Sequence, residues 1–184
     1  MASNTQSAEH KRIFLALWPD EITRQHLFKT QKELKHELVL QSARAIIPEN
    51  LHMTLHFIGS ISVEVLQALE VSLASVRCKA FELDVNMAGY FAQPQVFWLG
   101  LENVPPELQE LEQQTAACVR QCVEAYQCKP YRPHITLFRK AKNSIECNNW
   151  SVVHWPVNSF ALVESKTCPQ GVRYSVLKEW PLLR

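Results

Sequence analysis

The chain has 184 residues, of which 47% are hydrophobic and 20% charged, a composition typical of one globular domain or two small lobes that share a core. The formal net charge is +1, from 19 Lys and Arg against 18 Asp and Glu, and this balance excludes both a basic nucleic-acid coat and an acidic tail. The longest apolar run, residues 13–18, is too short for a membrane span, which needs about 20 residues.

The N-terminus and the cysteines indicate the compartment. The first residues are polar and lack the basic start and apolar stretch of a signal peptide, so we expect a disordered tail at residues 1–10 and a single domain at residues 11–184. Four of the six cysteines, Cys118, Cys122, Cys128 and Cys147, contain no C-x-x-C pair, which argues against a zinc site or a disulfide framework. We expect reduced thiols in a cytoplasmic protein that holds no metal.

In the first half of the chain, the pattern predicts two strands and two helices. The first strand covers residues 12–18, and Asp20 can cap the helix that follows. The second strand covers residues 51–58 and is closed by Gly59. Ser62 then caps an amphipathic helix whose leucines recur at helical spacing.

The second half is predicted to contain one long helix among strands. The helix opens at Pro105 and Pro106. The predicted strands cover residues 81–87, 96–101, 134–138, 159–164 and 174–178. Because strands outnumber helices and hairpin-like spacings dominate, we predict an α+β fold with mainly antiparallel sheets.

One pattern, His-x-Thr-Leu, occurs once in each half, and a pair is improbable by chance. Side chains alternate along a strand, so His52 and Thr54 share a face, as do His134 and Thr136. If the halves pack face to face, the imidazoles oppose each other across a cleft, one as base and the other as acid near neutral pH. The hydroxyls can donate to phosphate oxygens. The pattern therefore suits metal-independent phosphoryl transfer at a ribose phosphate.

The remaining histidines do not repeat. His56 lies on the same nominal face as His52 and could support it, although a structural role is the simpler interpretation. We expect structural roles for His10, His26, His36 and His154.

The two motifs and their flanks resemble the RNA 2′,3′-cyclic phosphodiesterases, also called 2′-5′ RNA ligase-like or LigT-type proteins, of the two-histidine (2H) phosphoesterase superfamily. The resemblance rests on residues 48–59 and 132–139, which carry the motifs. Residues 12–16, 164–165 and 174–182 are also similar.

The resemblance implies a bilobal α+β fold with two mainly antiparallel sheets and outer helices around a central groove. It implies hydrolysis of ribose 2′,3′-cyclic phosphate ends to 2′-phosphates, with no metal and no cofactor. Carried over by position, His52 is the proton donor and His134 the proton acceptor. Thr54, Thr136 and Arg139 bind the phosphate.

Two of these assignments depend on local geometry. Strict alternation places Phe138 on the face of His134, so Arg139 reaches the phosphate only if the strand bulges or ends before it. Otherwise Arg139 is an exposed salt-bridge partner. Phe14, Phe57 and Phe138 lie near the motifs and could stack on a base, although most such rings belong to a core.

The same groups would serve a 2′-5′ RNA ligase or a 2′-5′ phosphodiesterase, and the sequence does not separate these activities. A protein that binds RNA ends without turnover is the alternative from another class. The paired acid–base groups argue against it, and so does the near-neutral charge. We expect a monomer that acts on RNA ends or cyclic nucleotides and has no membrane contact.

Overall fold

The computed structural model describes residues 9–39, 42–143, 150–169 and 171–184, and the side chains of residues 36–39 are not among those described. Cys147, the side chain of His36 and most of the predicted tail lie outside this part of the chain. The predicted boundary of the tail is too late, because His10 already begins the first strand.

The described residues form ten strands and three α-helices, numbered in chain order. The strands are β1 (His10–Leu17), β2 (Arg44–Ala45), β3 (Met53–Ser62), β4 (Phe81–Val85), β5 (Met87–Phe91), β6 (Val96–Gly100), β7 (His134–Arg139), β8 (Val153–Val157), β9 (Ser159–Cys168) and β10 (Gly171–Pro181). The helices are α1 (Glu21–Val39), α2 (Val63–Leu73) and α3 (Pro106–Cys122), and a 3-10 turn covers Pro48–Asn50. No helix in the described ranges is long and apolar enough to cross a bilayer.

Both predicted helix caps are present. Asp20 Oδ1 accepts a hydrogen bond from the Thr23 amide at 2.8 Å at the start of α1. Ser62 Oγ accepts from the Val65 amide at 3.4 Å at the start of α2. A side-chain oxygen that satisfies an otherwise unpaired amide fixes where a helix begins, and both helices begin where the sequence predicts.

Three strand predictions need correction. The predicted strand at residues 81–87 is divided at Asn86, because β4 pairs with β8 in a separate two-stranded sheet whereas β5 pairs with β6. Strand β8, which contains Pro156, is not among the predicted strands. Within the described sheets its one partner is β4, and proline is tolerated at such an edge. Gly59 does not end β3 but lies within it at a φ of 96°, which glycine adopts without strain.

The two motif strands are neighbours in one sheet. The strand order is β10-β9-β1-β3-β7-β6-β5, with β2 also paired to β7. Its ladders are antiparallel, as predicted. The two halves are joined where Met53 of β3 pairs with Ile135 of β7. The motifs therefore lie side by side at the centre of a continuous sheet, and not on two halves packed face to face.

The helices cover one face of this sheet and leave the other to the motifs. Alternate residues of β1 (Ile13, Leu15 and Leu17) point into the main core, which also takes in leucines of all three helices. On the opposite face, a small cluster forms from Phe14, Ala16, Ala161 and Val163, with Trp18 and Tyr174 packed against it. The main core therefore packs against the face of the motif strands that is opposite the histidines.

Candidate active site

Four polar side chains form a compact group at the centre of the sheet. Met53 and Ile135, the second residues of the two motifs, pair in antiparallel register and point into the core. The residues on either side of them therefore point to the opposite face. In this register His52 lies beside Thr136, and Thr54 beside His134. The two histidines are diagonal neighbours, which in a regular antiparallel pair are about 7–8 Å apart. The two imidazoles therefore lie close together on one face of the sheet.

Each imidazole is oriented by a hydrogen bond to the backbone carbonyl two residues before it. Nδ1 of His52 donates to the Asn50 carbonyl oxygen at 2.7 Å, and Nδ1 of His134 donates to the Arg132 carbonyl oxygen at 2.7 Å. Because a carbonyl only accepts, each neutral ring carries its proton on Nδ1 and leaves Nε2 as the basic nitrogen. Thr54 Oγ1 lies 3.0 Å from Nε2 of His52 and donates to it in this state.

Aromatic rings enclose His52. Trp18 is stacked on the imidazole, with ring centroids 5.5 Å apart and an interplanar angle of 17°. Phe14 lies at 5.0 Å and Tyr174 at 5.2 Å, the latter edge to face. These rings replace water around the imidazole, and low polarity disfavours its charged form.

A different pair of rings flanks His134. The Phe91 ring meets it edge to face at 5.1 Å, and the Trp98 indole lies at 6.3 Å. Trp98 lies against Gly89 and Gly100, where an added Cβ would overlap its ring. The absence of side chains at these two glycines is what gives the indole its place beside the histidine.

Both histidines are weaker bases than free imidazole. Burial lowers the pKa of His52 from 6.5 to about 4; the Asn50 carbonyl opposes this effect, and the charges of His134 and Arg139 add to it. Burial also lowers the pKa of His134, against the Arg132 carbonyl and together with the charge of Arg139. Both rings are therefore neutral at pH 7 when no anion is bound.

A bulge in β7 brings Arg139 to the motif face. In the pairing with β6, Phe97 faces Phe138 and Trp98 faces Thr136, so Leu137 is an extra residue. Leu137 and Phe138 are both fully buried, and the next residue, Arg139, is exposed. The geometric condition for Arg139 to reach a phosphate is met, and its charge already acts on both histidines.

A matching bulge in β3 turns His56 away from the face that strict alternation assigns to it. Leu15 pairs with His56 and Ala16 with Thr54, so Leu55 is the extra residue here. His56 consequently points away from the face of His52 and is buried at 4% exposure.

On the core side, His56 links β3 to helix α3 and to the segment that contains Tyr126. Its Nδ1 lies 2.7 Å from the Tyr126 hydroxyl, and its Nε2 lies 3.0 Å from Thr115 Oγ1 and 3.1 Å from the Glu112 carbonyl oxygen. Burial lowers the pKa of His56 to about 4, so this residue is a neutral structural group. The predicted structural role fits this environment better than a supporting role beside His52.

The three rings named as candidates for base stacking differ in access. Phe138 is fully buried and packs against Phe97 with ring centroids 6.4 Å apart, so the prediction that it stacks on a base is wrong. Phe14 is 3% exposed and lies beneath His52, where it contacts the imidazole instead of a ligand. Phe57 follows the bulge of β3 and is 69% exposed, so it alone of the three is open to a base.

Four rings of the site were not predicted from the sequence: those of Trp18, Tyr174, Phe91 and Trp98. The first two lie at ends of predicted strands, but nothing local indicates which strands become neighbours. Among the described residues, no group of three or more His, Cys, Asp or Glu side chains could hold a metal ion.

Comparison with known proteins gives consistent matches. Residues 17–98 match the family described as LigT-like phosphoesterase. RNA 2′,3′-cyclic phosphodiesterase of Escherichia coli K12 is 31% identical over 182 residues, covering 95% of this chain and 98% of the relative. The protein of the same name from Archaeoglobus fulgidus is 27% identical, covering 91% and 98%. These two relatives span both motifs, whereas the family match contains only the first.

Solved structures agree with the sequence matches. Crystal structures of E. coli LigT in apo form and in complex with 3′-AMP each superimpose with a TM-score of 0.86 at 28% identity. Each covers 96% of this chain and 100% of the E. coli chain.

Proposed function

The chain belongs to the LigT-like phosphoesterase family, and from this we propose that it is an RNA 2′,3′-cyclic phosphodiesterase. It hydrolyses a ribose 2′,3′-cyclic phosphate end to a 2′-phosphomonoester. The observation that carries the proposal is the central group of the sheet, where His52 and His134 are diagonal neighbours on one face and each keeps Nε2 basic. Two threonines and Arg139 line the same face.

In the proposed reaction, each histidine moves one proton. Nε2 of neutral His134 accepts a proton from a water molecule, whose oxygen forms a bond to phosphorus. As the bond from phosphorus to O3′ breaks, protonated His52 donates a proton from Nε2 to the departing oxygen. The products are a 2′-phosphate and a 3′-hydroxyl, and solvent returns the proton from His134 to His52.

Substrate charge supplies the proton donor. The negative charge of a cyclic phosphate beside His52 favours imidazolium and so raises its pKa from about 4. Once Nε2 is protonated it no longer accepts from Thr54, and that hydroxyl is free to donate to a phosphate oxygen. Thr136 donates from the other motif, and Arg139 adds a charge-assisted contact.

Three further expectations belong to this proposal, on base contact, assembly and compartment. Phe57 is the accessible ring for a base of the RNA. One chain supplies both motifs, so the domain acts as a single unit and as a monomer. The cysteines in the described part of the chain are free thiols, among them the exposed Cys128. Free thiols are typical of proteins in the reducing cytoplasm, where we expect this protein.

The test is hydrolysis of a short RNA that ends in a 2′,3′-cyclic phosphate, with EDTA present. We expect a 2′-phosphate product, and a loss of about 10²–10⁴-fold in kcat for His52→Ala or His134→Ala. His154→Ala is the matched control, because this exposed histidine bonds to Asp84 in the separate two-stranded sheet. A 3′-phosphate product, or activity that survives both motif substitutions, would overturn the proposal.

A further inference from the structure

A groove of about 420 Å³ opens beside Thr54 and His134. It lies where β3 and β7 diverge beyond their pairing at Met53 and Ile135. One wall is the segment 54–57 of β3 and the other is the segment 126–132 that leads into β7. Its volume is within the range of small-molecule sites, roughly 300–1,000 Å³.

The described lining of the groove suits a nucleotide. Lys129 and Arg132 are exposed cations in its wall, and no acidic side chain is among the described lining residues. Neither cation forms a salt bridge within the described part of the chain. Phe57 and Phe91 add two aromatic rings, and a base stacks on such rings whatever its identity.

The cations in the groove exceed what a cyclic nucleotide can use. In the proposed function, Thr54, Thr136 and Arg139 serve the cyclic phosphate on the motif face. A nucleoside 2′,3′-cyclic phosphate carries no other phosphate, so it offers nothing to Lys129 or Arg132. An RNA strand carries one more phosphodiester for each nucleotide that precedes its cyclic end.

We propose that the groove binds the nucleotide that precedes the cyclic end of an RNA, with its phosphodiester at Lys129 and Arg132 and its base at Phe57 and Phe91. RNA oligonucleotides are then the preferred substrates over free nucleoside cyclic phosphates. This inference rests on the proposed function and extends it.

The cationic wall is held in place before substrate binds. The Tyr126 hydroxyl donates to Nδ1 of His56 at 2.7 Å, and Nε2 of His56 donates toward Thr115 and the Glu112 carbonyl of α3. At the other end of the segment, the Arg132 carbonyl accepts from His134. A wall anchored at both ends loses little conformational entropy when it binds a ligand.

The experiment compares adenosine 2′,3′-cyclic phosphate with the dinucleotide ApA ending in a 2′,3′-cyclic phosphate, with EDTA present. We expect kcat/KM to be about tenfold higher for the dinucleotide, equivalent to about 1.4 kcal/mol. Lys129→Met and Arg132→Met should each lower dinucleotide kcat/KM about threefold to tenfold, mainly through KM, with a smaller effect on the mononucleotide. Lys35→Met is the charge-matched control, because exposed Lys35 lies on α1, which packs on the core face of the sheet.

Salt dependence gives a second measurement. Each phosphate contact to single-stranded RNA contributes about −0.7 to the slope of log affinity against log salt, so the dinucleotide should show the steeper slope and Lys129→Met should reduce it. Equal kcat/KM and equal slopes for the two substrates would overturn the groove assignment and leave the phosphodiesterase intact. Failure to hydrolyse either substrate would instead refute the proposed function, and the groove assignment with it.

Discussion

Replacing Trp18 by alanine should raise the pKa of His52. The imidazole has three aromatic neighbours at centroid distances of 5.0, 5.2 and 5.5 Å, and desolvation is the largest cause of its low pKa of about 4. If the three rings exclude water about equally, removing one restores roughly a third of the difference from 6.5. The pKa then rises to about 5, which corresponds to about 1 kcal/mol in favour of imidazolium.

The assay is an NMR titration of the imidazole nitrogens between pH 3 and 8, in the wild type and the variant. Trp98→Ala is the reciprocal control, because Trp98 lies beside His134 instead of His52 and should raise the pKa of His134 only. A pKa of His52 that is already near 6.5 in the wild type would refute the desolvation argument. So would a value that Trp18→Ala leaves unchanged.

Three further predictions follow from the same site. Burial holds the pKa of both histidines below the ordinary value. Between pH 7 and 8.5, kcat/KM should therefore fall about tenfold per pH unit, because the protonated fraction of His52 falls by that factor. A plateau in the pH–rate profile over this range would contradict this prediction. Arg139→Met should lower kcat/KM about tenfold to a hundredfold through loss of a charge-assisted contact, measured on the cyclic-phosphate RNA, and a change below twofold would count against contact with the phosphate. Gly89→Ala should lower the free energy of unfolding in urea by about 1–3 kcal/mol, because the new methyl group overlaps the Trp98 ring. An unchanged urea midpoint would show that the indole has room to move.

The paired motifs were predictable because their signal is local. Alternation along a strand is enough to place His52 with Thr54 and His134 with Thr136 on shared faces. The helix starts at Asp20 and Ser62 were predictable for the same reason, since a cap involves residues only three apart. These parts of the site and fold require no knowledge of distant contacts.

The pairing of the motif strands could not be predicted in this way. Residues 53 and 135 come from opposite halves of the chain, and their register depends on how both halves pack. The rings around the histidines are supplied by other strands and connections, so their proximity depends on the same packing. The strand break at Asn86 is likewise set by pairing with two different sheets.

The two bulges could be predicted from the local sequence only in part. In β7, two adjacent apolar residues, Leu137 and Phe138, precede charged Arg139, and this pattern conflicts with strict alternation in a way that indicates an extra residue. In β3 the equivalent position is His56, whose polar side chain suggests an outward direction. Its burial depends on partners in α3 and at Tyr126 that the local sequence does not reveal.

The paired bulges also make the repeated site unequal at its two ends. Because of each bulge, the residue two positions after the extra residue lies on the motif face, and these residues are Phe57 in β3 and Arg139 in β7. The repeat alone would give two interchangeable histidines. A hydrophobic ring at one end and a guanidinium at the other make the two directions of approach chemically distinct, which is the condition for identical imidazoles to take opposite roles.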